Sequence, residues 1–234
     1  VSRQKAEAMK VFVETCKERG SPLVAVEDAA RIGRIELSRS GTEAVMAFPG
    51  MGAFDTRRSY RTPLVGSVQA ENMALAILAA RALAPDLSPA EAAFGLSRSR
   101  LPARFEVLDL EPPVVLDGAH TPASMRLCLE SFDRIFPGPA DLVFACAHDK
   151  NHAEMAAILE GRFRSVTITR PGTFKQSDPA RVAESFGLAE GACSLVEDTK
   201  EALLSARDHA RKDGLPLLVA GSFYLCSEAA ELLA

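Results

Sequence analysis

Asp117 and His120 stand three residues apart in the stretch VVLDGAHTP, residues 114–122, directly after an apolar run. A carboxylate at the end of such a run accepts two hydroxyl hydrogen bonds, as a ribose offers them, or it caps the helix that follows. The imidazole beside it is a candidate general base, a phosphate contact or an ordinary turn histidine. Other apolar runs also end in polar residues. LVFACA is followed by His148, Asp149, Lys150 and Asn151, SVTIT by Arg170, Pro171 and Gly172, and PLLVA by Gly221 and Ser222. Lys150 offers a mobile point charge for a carboxylate or phosphate, or is a surface lysine. Ser222 completes an Asp-His-Ser inventory, but VAGSFYL lacks the second glycine of the G-x-S-x-G nucleophile elbow. Arg104, beside Pro102 in the polar stretch SRSRLPAR, reads as a phosphate contact or as a solvated linker charge. Arg57, Arg58 and Arg61 alternate around Tyr60 and read as a solvated strand face. No G-x-x-x-x-G-K-[ST] phosphate loop occurs.

These residues need elements to position them, and the hydrophobic pattern supplies two kinds. From residue 98 onward, solid apolar strands alternate with helical stretches. VVLD precedes a helix over 122–136, DLVFACA one over 151–163 and SVTIT one over 178–186. A helix over 198–212 then leads to PLLVAG and a last helix over 222–233. Apolar strands separated by helices indicate an α/β domain, a parallel or mixed sheet covered on both faces. Ligands bind such sheets at the carboxyl ends of the strands, so the polar loop starts fall on one edge. Before residue 98 the pattern differs. Ala6, Met9, Phe12, Val13 and Cys16 predict a helix over 3–19 that Gly20 ends, and SPLVAVED predicts a short strand. GRIELSRSG, EAVMAFPG and AFDTRRSYRTPL predict antiparallel strands, residues 67–84 a strong helix, and Ser88, Pro89 and Glu91 a capping box opening another. These first 90 residues are not expected to close a core by themselves. The expected boundary divides 1–97 from 98–234.

The bulk numbers exclude several classes. With 234 residues, 47% of them hydrophobic, the chain is long enough for one or two packed domains. A net charge of −4 gives no pull towards nucleic acid or an anionic membrane. No apolar run is long enough for a transmembrane helix, and the charged amphipathic start is not a signal peptide. Five scattered cysteines without a CxxC read as reduced thiols in a cytoplasmic protein, and the four histidines do not cluster into a metal site.

Four stretches together resemble the C-terminal half of the folylpolyglutamate synthase/dihydrofolate synthase family, a branch of the Mur ligase superfamily. TPLVGSVQAENMALAILAARAL is similar to a helix start of the form G-x-H-Q-x-x-N-A, and LSPAEAAFGLSRSRLPARFEVL to a segment ending in W-P-G-R-x-E. PPVVLDGAHTPASM is similar to D-G-A-H-N-P. VFACAHDKNHAEMAAIL and LLVAGSFYLCSEAAELL are similar to the family's D-K loop and its G-S-x-Y-L ending. The resemblance implies a Rossmann-like C-terminal domain preceded by part of a central domain, with helices and a small antiparallel sheet. It implies ATP-dependent ligation of L-glutamate to folate or dihydropteroate through an acyl phosphate. By resemblance Asp117 contacts the ribose, Arg104 the phosphates, and His120 lies beside the nucleotide as the catalytic candidate. Gln69 and Asn72 face the nucleotide from the central domain, and Lys150 and Ser222 bind the incoming amino acid's carboxylate.

The chain departs from the family pattern at Val68, in place of a histidine, at Leu101 and Ala103, in place of Trp and Gly, and at Thr121, in place of Asn. The P-loop, the magnesium ligands and the family's modified lysine are expected upstream of residue 1. The chain is therefore expected to be an inactive piece of a cytoplasmic enzyme that is monomeric at full length. A Mur-type ligase of peptidoglycan precursors, a non-catalytic nucleotide- or folate-binding module and a small hydrolase built on Asp117, His120 and Ser222 stay open as alternatives.

Overall fold

The computed structural model describes residues 1–172, 176–187 and 193–233. The chain divides into two compact units, Val1–Arg100 and Leu101–Ala234.

In the first unit, helix α1 (Ala6–Arg19) ends at Gly20, whose φ of 61° is the left-handed conformation that glycine adopts without strain. The expected strand over SPLVAVED is corrected: the segment carries a single helical turn, α2 (Val26–Ala29). Alternating burial is missing there, since Val24 is exposed and Val26 buried, and Glu27 and Asp28 favour the start of a helix. Strands β1 (Arg31–Ser38), β2 (Gly41–Ala47) and β3 (Arg58–Thr62) form an antiparallel sheet in that order. Helices α3 (Val68–Leu83) and α4 (Pro89–Ser97) follow, the latter with the Ser88–Glu91 capping box formed. The expectation that these residues fail to close a core is also corrected. Met46, Phe48, Phe54 and Tyr60 pack with Ala70, Met73 and Ile77 of α3, and the Phe48 ring meets Phe54 and Tyr60 edge-on. The large aromatics gather in one cluster with α3, so a small unit still buries enough apolar surface.

The second unit is a six-stranded mixed sheet. Its strands are β4 (Glu106–Leu108), β5 (Val114–Asp117), β6 (Asp141–Phe144), β7 (Ser165–Ile168), β8 (Cys193–Leu195) and β9 (Leu217–Ala220). They lie in the order β4-β5-β9-β6-β7-β8. All neighbours are parallel except β4 against β5. At three residues each, β4 and β8 are too short to show a hydrophobic period. Helices α5 (Pro122–Ile135), α6 (His152–Leu159), α7 (Pro179–Ser185), α8 (Thr199–Asp213) and α9 (Phe223–Leu233) connect the strands. Val114, Leu116, Val143, Leu217 and Val219 pack against Leu203, Ala206, Leu225 and Ala229 of α8 and α9. The alternate residues Val115, Leu142, Phe144 and Leu218 are equally buried, so the other face of the sheet is covered too. There Phe144 meets Phe186, just past α7, with ring centroids 5.5 Å apart.

The position of β9 governs the rest. The last strand slots between β5 and β6, with Ala220 level with both Asp117 and Phe144. The chain thus runs outward from β5 through β6 and β7 to the edge strand β8 and then returns to the centre, and three strand tips become neighbours at the carboxyl edge.

Candidate functional site at the carboxyl edge of the sheet

Asp117 ends β5, and its carboxylate does not cap α5. Oδ1 accepts the Ala119 N–H at 2.7 Å and Oδ2 the Phe105 N–H at 3.0 Å. Thr121 is the cap instead. Its hydroxyl accepts the Ser124 N–H at 3.2 Å, its own N–H donates to Ser124 Oγ at 3.1 Å, and Pro122 opens the helix. Thr121 thus does a capping task that Asn also performs, which accounts for that departure. Burial pushes the Asp117 carboxyl up to about 6, against the lowering pull of the Ala119 and Phe105 amides, the Arg104 charge and the Cys128 thiol. Burial also raises the thiols of Cys128 and Cys226, which marks them as inert packing groups.

The same carboxylate holds the turn that carries Arg104. The Gly118 N–H donates to the Ala103 carbonyl at 2.8 Å, and the Ala103 N–H donates to Glu106 Oε2 at 2.9 Å. Ala103 and Phe105, on either side of Arg104, have φ of 55° and 50°. Left-handed backbone at two non-glycine residues costs on the order of 1–2 kcal/mol each and persists because these hydrogen bonds enforce it. Ala103 occupies the place of the glycine in the P-G-R pattern, and the left-handed φ is the reason glycine suits that place. Arg104 itself is exposed. Among the described residues its guanidinium has no hydrogen bond or ion pair, so all five N–H donors are uncommitted.

His120 Nδ1 lies 2.7 Å from the Gly118 carbonyl. A carbonyl only accepts, so Nδ1 carries the proton and Nε2 is the free nitrogen. His120, Lys150 and Ser222 line one cavity of about 200 Å³ together with Ala147, Gly221, Phe223 and Tyr224. Lys150 is paired with Asp149 at 3.2 Å, and the Ser222 hydroxyl accepts the Tyr224 N–H at 3.2 Å at the start of α9. Neither Asp117 nor Ser222 is hydrogen-bonded to the His120 ring among the described residues, so the Asp-His-Ser hydrolase arrangement is not formed. Gln69 and Asn72 lie in the first turn of α3 in the first unit. There the Asn72 amide donates to Gln69 Oε1 at 2.9 Å, and Gln69 is buried. Buried Thr42 on β2 sets that helix start, since its hydroxyl donates to the Leu64 carbonyl and accepts the Gly66 N–H.

Phe223 and Tyr224 escaped the sequence reading. Both are large, apolar and partly exposed at the cavity wall, 36% and 43% respectively. Their position after Gly221-Ser222 at a strand-to-helix turn was the available signal. Among the described residues, no group of three or more His, Cys, Asp or Glu side chains is placed to hold a metal ion. No helix among them is long and apolar enough to cross a membrane.

An α/β sheet with an exposed arginine, a half-buried carboxylate and a cavity along one carboxyl edge places the second unit in the Rossmann-like class. The chain belongs to the Mur ligase family: the family model described as "Mur ligase, glutamate ligase domain" matches residues 103–223. It is 35% identical over 175 residues to the probable bifunctional folylpolyglutamate synthase/dihydropteroate synthase of Haloferax volcanii, covering 72% of this chain and 20% of that protein. It is 31% identical over 176 residues to the folylpolyglutamate synthase of Lacticaseibacillus casei, covering 73% of this chain and 40% of that protein. The fold matches that of Mycobacterium tuberculosis folylpolyglutamate synthase complexed with ADP, with a TM-score of 0.84 and 21% identity over 98% of this chain and 53% of that chain. The chain therefore spans less than half of these curated relatives and about half of the solved one.

Proposed function

We propose that the chain is the closing half of an ATP-dependent carbon–nitrogen ligase that adds L-glutamate to folate or dihydropteroate. The observation that carries this reading is the family match over 103–223, laid on a sheet edge where Arg104 has five uncommitted donors. The names of the curated relatives support folate as the acyl side, and the ADP complex supports nucleotide at this fold. In this reading 1–97 is the end of a central domain and 98–234 the C-terminal domain. The P-loop half of the enzyme belongs to sequence outside these residues, and the full-length enzyme is a cytoplasmic monomer.

The reaction so assigned has two steps. A substrate carboxylate oxygen attacks the γ-phosphorus of ATP, giving an acyl phosphate and ADP. The glutamate amine then attacks the acyl carbon, the bond to phosphate breaks, and the amine gives up a proton as the amide forms. Phosphoryl transfer depends on positioning and charge neutralisation, so the task of this chain is to deliver charge and shape. Arg104 donates to phosphate oxygens. Each Asp117 oxygen keeps a lone pair beyond its amide bond, and the two accept the ribose hydroxyls. His120 Nε2 is the open proton acceptor at the cavity. Lys150 exchanges Asp149 for the carboxylate of glutamate, and Ser222 donates its hydroxyl proton to the same group. Gln69 and Asn72 meet the nucleotide from the central domain. Magnesium would supply neutralisation of phosphate charge in such a reaction, held by ligands outside this chain.

The chain alone is expected to release no phosphate from ATP in the presence of L-glutamate and dihydropteroate or tetrahydrofolate. Steady release would overturn its assignment as half of an enzyme. In an ATP titration, Arg104→Ala should weaken binding on the order of tenfold, the loss of a charge-assisted contact. Unchanged affinity would remove Arg104 from the site.

A further inference from the structure

We propose that Phe223 is the positioning residue of this edge: its ring fixes Arg104 and His120 where an incoming nucleotide phosphate meets them. The inference rests on the reading of Arg104 as the phosphate contact. An exposed arginine without a hydrogen bond wanders over many rotamers, and ordering it on a ligand costs conformational entropy. Here the guanidinium carbon lies 4.8 Å from the Phe223 ring centroid, over the ring. The His120 ring meets the same phenyl edge-on, with centroids 5.8 Å apart and planes at 63°. One aromatic ring thus carries both side chains.

Two further observations show how the ring is held. Phe223 follows β9, the strand paired with β5, so the Gly221–Phe223 turn lies beside the Asp117–His120 turn. A Cβ on Gly118 would fall 2.4 Å from the Phe223 Cδ1 and Cε1 atoms, so the ring rests against the bare glycine backbone. Gly118 has no positive φ that would require glycine, so the ring is what excludes a side chain there. Phe223 is 36% exposed, which is too open for a core residue whose burial alone would explain its place. Arg104, His120 and Gly118 already occupy the ring's surroundings, which argues against stacking on a ligand base. The uncommitted donors of Arg104 in turn specify an anionic ligand rather than a second planar one.

The test is a nuclear magnetic resonance titration of the whole chain with ATP, following the Arg104 side-chain signals in wild type, Phe223→Leu, Phe223→Tyr and Gly118→Ala. In the free wild-type chain, ring current should move the Arg104 signals upfield. Phe223→Tyr should keep that shift, and Phe223→Leu and Gly118→Ala should lose it while amide dispersion shows the chain folded. ATP affinity should fall about 3- to 10-fold in Phe223→Leu and recover in Phe223→Tyr, the size of a cation–π contact together with its ordering. An unshifted Arg104 in wild type, or equal ATP affinity in Phe223→Leu, overturns the positioning role and leaves the phosphate assignment standing. A wild-type chain whose Arg104 signals do not respond to ATP overturns the phosphate assignment, and the inference falls with it.

Discussion

At the scale of single residues, Asp117 has two tasks that pull in different directions. Its oxygens accept backbone amides that hold the Arg104 turn, which favours the ionised form, while burial favours the neutral one. Burial dominates, so the folded carboxyl titrates near 6, against 3.8 for an ordinary aspartate. A carboxyl raised in the folded state leaves stability intact below the unfolded value and lowers it as pH rises through the folded one. Wild type should therefore lose on the order of 2 kcal/mol between pH 4 and pH 7 relative to Asp117→Asn, as measured by chemical denaturation. A pH-independent difference between the two proteins would show that the group is not held as described. This task was not legible in the sequence. VVLDGAHTP showed an aspartate at a strand tip, but the Phe105 amide that meets it belongs to a turn twelve residues earlier.

At the scale of elements, the helix starts follow local rules. Thr121 and Pro122 open α5 with a reciprocal cap, so Thr121→Ala should cost about 1 kcal/mol in thermal or chemical denaturation. Thr121→Asn should fall within about 0.5 kcal/mol of wild type, and a large loss there would show that capping does not explain the departure from D-G-A-H-N-P. The strand ends follow tertiary rules. Gly221 leaves β9 at φ 103°, where an added Cβ would lie 2.2 Å from the Ala145 carbonyl oxygen at the end of β6. Gly221→Ala is expected to destabilise the second unit by on the order of 2–4 kcal/mol, since backbone cannot give way as a flexible side chain does. Denaturation of the variant at wild-type denaturant concentrations would show that the β9–β6 approach is looser than described. The long helices and the apolar strands were legible because their hydrophobic periods run over enough residues. The three-residue strands β4 and β8 were not, and SPLVAVED misled because one short apolar run fits a strand or a buried helical turn equally well.

At the scale of the whole molecule, two cores fold from one chain. The first gathers aromatics between a three-stranded sheet and α3, and the second covers both faces of a mixed sheet. Arg98 and Arg100, just before the second unit, are exposed. Limited trypsin digestion should cut at these arginines and leave a persistent fragment starting near Leu101 that retains its near-native circular dichroism. Disappearance of that fragment at the rate of the whole chain would show that the second core depends on the first. The family match also lies within this unit, so the fragment should keep the Arg104 response to ATP.

By itself the sequence determined the α/β class of the second unit, the cap at Ser88, and the family, because these depend on residues close together in the chain or on motifs read in order. It also determined that polar groups follow the apolar strands. Only the tertiary structure decided which of those groups meet. Because β9, the last strand, inserts between β5 and β6, Ser222 and Phe223 come to lie between the turns that carry His120 and Lys150. Strand order in space is set by how both faces of the sheet can be buried at once, a balance summed over the whole unit that no local stretch of sequence contains.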